Sequence, residues 1–144
     1  MNTGRTVFVL VVTLMFGIAT ADAQGRQKVV YQVNTGNATE QKTALLNIQN
    51  HVNAVGKDNI DLRVVIHGDG ILLLRRARQD ENIKAAIDKL KLLGVTFEVA
   101  ADALSDRHLD YRTDLYDVTA DDIVPNGIAE IAALQMQGYA YVKP

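Results

Sequence analysis

The chain has 144 residues, 48% of them apolar, a formal net charge of −2 and no cysteine. The missing thiol excludes disulfides, thiolate nucleophiles, persulfide carriage, iron–sulfur ligation and cysteine-ligated zinc. Mild acidity with mixed charges leaves no footprint for nucleic acid, so any chemistry falls to His, Asp, Arg, Tyr or backbone groups.

The first 23 residues read as a signal peptide. Arg5 gives the positive start, the apolar run from Val7 to Ala19 follows, and Ala21-Asp22-Ala23 supplies small residues for cleavage before Gln24. The run falls short of the roughly 20 residues a membrane span requires. The expectation is a periplasmic or secreted protein with no stable membrane span after cleavage. Removing 23 of the 144 residues leaves 121, one domain over 24–144.

Lys28–Asn34 is β-branched and aromatic and ends in Asn-Thr-Gly-Asn, a first strand closed by a turn. Asn37 or Thr39 caps a helix facing inward through Leu45, Ile48, Val52 and Val55, with Gly56 at its end. Asp61–Ile66 is a second strand, apolar enough at its end to be buried on both faces. It runs into His67-Gly68-Asp69-Gly70, an apolar turn, and Arg75, Arg76 and Arg78.

A helix over Asn82–Leu93 turns Ile83, Ile87 and Leu90 inward, Gly94 stops it, and Val95–Val99 is a third strand. Ala100–Leu109 suggests a short helix. Tyr111–Ala120 reads as an acidic, solvated, irregular loop. Ile123-Val124 makes a short fourth strand, Ile128–Met136 a helix facing inward through Ile128, Ile131 and Leu134, and Tyr139–Val142 a last strand. This alternation predicts an α/β three-layer sandwich: a mostly parallel, about five-stranded sheet with right-handed crossovers and helices on both faces. Such sheets bind ligands beyond the carboxyl ends of their strands.

Four segments carry a family likeness: His67-Gly68-Asp69-Gly70, Gly94–Val99, Val124–Glu130 and Gly138–Pro144. They resemble the DsrE/DsrF-like family, the C-terminal pair most specifically. The resemblance implies a compact α/β sandwich assembling into homotrimers or hexamers. It also implies, for several relatives, a persulfide carried on a cysteine in the loop after the third strand. Aligned on Phe97-Glu98-Val99, that position here is Ala100, followed by Ala101 and Asp102. A methyl group cannot ionise, attack or hold sulfane sulfur.

The candidate ligand-binding residues therefore cluster at strand ends: Asn34, His67, Gly68, Asp69, Gly70, Ala100, Asp102 and Asn126. Two readings of the His-Gly-Asp-Gly segment stand. In one it cradles a small anion, its glycines admitting a ligand. In the other it is a tight turn, with Asp69 as helix cap and His67 packed. No phosphate loop, dinucleotide fingerprint or calcium loop is present, so no cofactor is expected. His51, His67 and His108 share no ligand spacing, and no metal site or catalytic residue is assigned. Two functions follow. One is a non-catalytic binding or assembly module taking a small anion or protein partner. The other is a sulfur-relay accessory protein, or an enzyme using His67 and Asp69.

Overall fold

A computed structural model describes residues 25–144; the expected signal peptide lies outside the described residues. Five strands form one sheet: β1 (Gln27–Val33), β2 (Ile60–Ile66), β3 (Thr96–Ala100), β4 (Ile123–Val124) and β5 (Ala140–Val142). Every pairing is parallel, and the spatial order is β4-β3-β2-β1-β5. Among the described residues the helices are α1 (Ala38–Val55), α2 (Leu72–Ala77), α3 (Glu81–Leu92), α4 (Ala101–Asp106), α5 (Tyr111–Asp114) and α6 (Gly127–Met136). The chain is an α/β sandwich of three layers, as the alternation predicts. No helix among the described residues is long and apolar enough to cross a membrane.

Alternation along each strand sorts the two faces. Val29, Tyr31 and Val33 of β1 and Leu62, Val64 and Ile66 of β2 point to one side, where Ile48 and Val52 of α1 and Ile83, Ile87 and Leu90 of α3 complete the main core. Among the described residues, α6 covers the opposite face. There Val30 and Val65 meet Ile131, Leu134 and Tyr139 in a second, smaller cluster. β2 accordingly buries both faces at its end, with Val64, Val65 and Ile66 fully enclosed.

The same face carries a polar group beneath α6. Arg63 donates to the buried Glu98 at 2.7 Å and to the Tyr139 hydroxyl at 3.2 Å, and that hydroxyl donates to Asp61 at 2.6 Å. Burial pushes the Glu98 carboxyl up, and the Arg63 guanidinium beside it pulls the other way.

Local signals explain most helix ends. Asn37, rather than Thr39, caps α1 by accepting from the Thr39 and Glu40 amides, and Asp80 caps α3 in the same way, accepting from Asn82 and Ile83. The acidic stretch is more ordered than its lack of period suggests. Asp110 accepts from the Arg112 amide and starts α5, while Thr119 and Asp122 form a capping box. Lys91 holds Asp117 at 2.6 Å. One inward assignment is corrected. On α6 the buried residues are Gly127, Ile131 and Leu134, spaced i, i+4, i+7, whereas Ile128 is 57% exposed.

Candidate functional site at the carboxyl edge of the sheet

Parallel pairing brings the strand ends to one edge. The register Val33↔Ile66↔Val99, with Ala100↔Val124, sets Asn34 and His67 just beyond it, beside Ala100 at the end of β3. From this edge the chain leaves in opposite directions. Ala100 leads into α4, whose Ala103 and Leu104 join the main core. Val124 leads into α6, which packs on the other face. This divergence is where ligand crevices form in open parallel sheets.

A polar clasp spans it. Asn126 uses both ends of its amide: Oδ1 accepts from the Ala129 amide at 2.9 Å and caps α6, while Nδ2 donates to Asp102 at 2.6 Å. The other Asp102 oxygen accepts from the Ala103 amide at 2.9 Å.

His67 lies half-buried beneath the start of α6. A Cβ placed on Gly127 would sit 2.6 Å from the His67 Cβ, so only glycine lets the helix approach the ring this closely. The Gln32 amide donates to His67 Nε2 at 2.7 Å, and Gln32 Oε1 accepts from the Tyr141 hydroxyl. An amide donor at Nε2 makes that nitrogen an acceptor and puts the imidazole proton on Nδ1. Burial lowers the readiness of His67 to protonate; Asp102 opposes this and Lys143 adds to it.

The glycines of the following turn admit the protein's own backbone. A Cβ on Gly70 would stand 2.0 Å from the Val33 carbonyl oxygen, and Gly68 takes a positive φ of 53°. Asp69 does not cap α2; its carboxylate takes the Arg107 guanidinium instead. A helix start so close to β1 leaves Asp69 outward, where Arg107 of the α4 end meets it. Arg76 is also committed inside the fold. It donates to the Gly36 carbonyl at 2.8 Å and to the fully buried Gln41, which in turn donates to the Thr35 carbonyl at 2.7 Å. The strand-end loops are thus tied to one another.

Comparison with known proteins meets this geometry. A sequence model of the DsrE/DsrF-like family matches residues 27–144. The chain belongs to the DsrE/DsrF-like family. Two solved structures share the fold of this DsrE/DsrF-like chain. A protein of unknown function from Methanobacterium thermoautotrophicum, MTH1491, is 24% identical with a TM-score of 0.71, covering 82% of this chain and 99% of its own. The ychN protein from E. coli is 18% identical with a TM-score of 0.62, at the same two coverages. No curated protein matches the chain significantly.

Within this DsrE/DsrF-like domain, Ala100 ends β3 fully buried. Of the eight candidates, His67, Ala100, Asp102 and Asn126 gather at the diverging loops. Asn34 instead borders a separate cavity of about 270 Å³, which Gln32, Thr35, Glu40 and Lys143 also line. Asp69 is exposed on the far side of the turn. Among the described residues no three His, Cys, Asp or Glu side chains come together as metal ligands. His51 is occupied with Tyr31 at 3.0 Å and Gln27 at 3.1 Å.

Sequence reasoning missed Gln32, Tyr141 and Arg107. A signal existed for Gln32, a polar residue in an apolar strand, on the face opposite Tyr31 and Val33.

Proposed function

We propose that this is an exported, non-catalytic binding and assembly module: a DsrE/DsrF-like scaffold without its persulfide chemistry, which assembles as a homotrimer or hexamer and holds a small anion or protein partner at the carboxyl edge. One observation carries the reading. Ala100 stands where the family likeness expects the sulfur carrier, and the acidic and imidazole candidates of the carboxyl edge are already engaged. Asp102 is held by Asn126, His67 by Gln32, and Asp69 by Arg107. A site for nucleophilic catalysis needs a nucleophile within reach of a base, and no such pair is present among these residues. A half-buried neutral imidazole beside an Asn–Asp clasp suits recognition better than turnover.

The test is a thermal-shift screen of the purified protein with sulfite, thiosulfate, phosphate and protein partners fished by crosslinking, run beside a turnover assay for thiosulfate sulfurtransfer. Stabilisation by one anion that His67→Ala removes, without turnover, supports the binding reading. Turnover lost in His67→Ala or Asp69→Ala, with the fold intact, would instead establish the enzymatic alternative.

A further inference from the structure

On the face of the sheet that carries the main core, α1 and α3 leave an apolar trough between them, with a volume of about 280 Å³. Leu45, Leu46, Ile83, Ala86 and Leu90 line it, and Leu46 is 59% exposed. Its size is at the small end of ligand cavities, roughly 300–1,000 Å³.

The two ends of the trough differ. Both helices are crossovers between parallel strands and run the same way, so Lys42 and Asn82 share one end while Gln49 and Lys89 share the other. At the first end Lys42 is neutralised by Asp80 at 3.2 Å. At the second, Lys89 is exposed and, among the described residues, makes no ion pair. The trough therefore offers an apolar floor closed at one end by a single uncompensated cation.

We infer that it binds a medium-chain carboxylate, the carboxylate on Lys89 and the alkyl chain laid toward Asn82. The length fits. Seven residues from Lys42 to Gln49 rise about 10 Å, and an extended chain advances about 1.2 Å per bond, so roughly eight to ten carbons fill the trough. A partner helix fits less well, because it would desolvate the polar rim of the trough, Gln49, Asn82 and the Lys42 and Lys89 ammonium groups.

The probes are octanoate, decanoate and decyltrimethylammonium, each below self-association, titrated into the labelled protein and followed by amide chemical shifts. Saturable shifts over residues 42–49 and 82–90 are expected. Decanoate should bind about tenfold more tightly than octanoate, as ~0.8 kcal/mol per buried methylene gives for two. Lys89→Gln should erase the preference for carboxylate over trimethylammonium, and Leu46→Asp should weaken decanoate at least threefold. Neither residue is buried, so both variants should keep the wild-type far-UV spectrum. The inference is overturned by absence of saturable shifts in the low millimolar range, or by equal affinity for the two headgroups. A native mass that changes with Leu46→Asp while decanoate fails to bind would also overturn it, assigning the trough to a second copy of the chain.

Discussion

His67 shows how partial burial of one ring sets a pH response. Its Nε2 accepts from Gln32, whose Oε1 accepts from Tyr141, so a proton arriving at Nε2 would face a donor rather than an acceptor. Burial is the largest influence and disfavours the cation; Asp102 favours it, and Lys143 disfavours it. The folded-state pKa therefore lies below the ordinary imidazole value of about 6.5. A group depressed in this way contributes stability that is complete above about pH 6.5 and is lost as pH falls toward the folded value. Solvent screens a half-exposed ring, so the loss should be small. Imidazole resonances followed by NMR should titrate below 6.5. The denaturation midpoint should fall between pH 7 and 5 more steeply in the wild type than in His67→Gln. A His67 midpoint at or above about 6.5 would mean that burial does not dominate at this ring.

At the scale of elements, the Asn126 amide joins two helices that leave the sheet on opposite faces. Asn126→Ala removes the α6 cap, which costs about 1 kcal/mol, and also frees Asp102 from its partner. The Asn126→Asp variant should keep the cap, yet set two carboxylates against each other. The expected order of thermal midpoints is wild type, then Asn126→Asp, then Asn126→Ala, with a drop of about 4 °C for alanine. Equal midpoints would mean that the clasp contributes nothing.

The elements themselves were legible where period and cap agreed. In α1 and α3 the inward residues and stop glycines follow the helical repeat, and β2 announces double burial through Val64-Val65-Ile66. Four-residue α5 has no room for a period and exists through the Asp110 cap. Ile128 misled because α6 is apolar on nearly every side, so pattern alone does not select a face; the contact of Gly127 with His67 does. The carboxyl-edge residues could be placed because parallel topology sends every strand end to one edge. The hydrogen-bond chain from His67 through Gln32 to Tyr141 could not, since Gln32 and Tyr141 lie 109 residues apart in the chain and meet through the β1–β5 pairing.

At the scale of the whole molecule, the two sheet faces are unequally covered. Among the described residues, helices α1 to α4 supply the main core on one side, and α6 shields the other. α6 still exposes Ile128 and Met136 (57% and 85%), and Tyr141 on the neighbouring edge strand is 43% exposed. A helix apolar all round is ordinarily enclosed on all sides, and contiguous exposed apolar surface marks an interaction site. The homo-oligomer proposed above accounts for this surface if α6 and β5 face the neighbouring copy, and closed symmetry then repeats one contact around the ring. Sedimentation at micromolar concentration should give a mass of three or six chains. The double variant Ile128→Glu, Met136→Glu alters only exposed positions, so it should leave the far-UV spectrum unchanged while shifting the mass to one chain. A wild-type monomer would remove the assembly half of the proposed function. An intact oligomer in the double variant would move the interface off α6, toward the unpaired edge of β4 at the other side of the sheet.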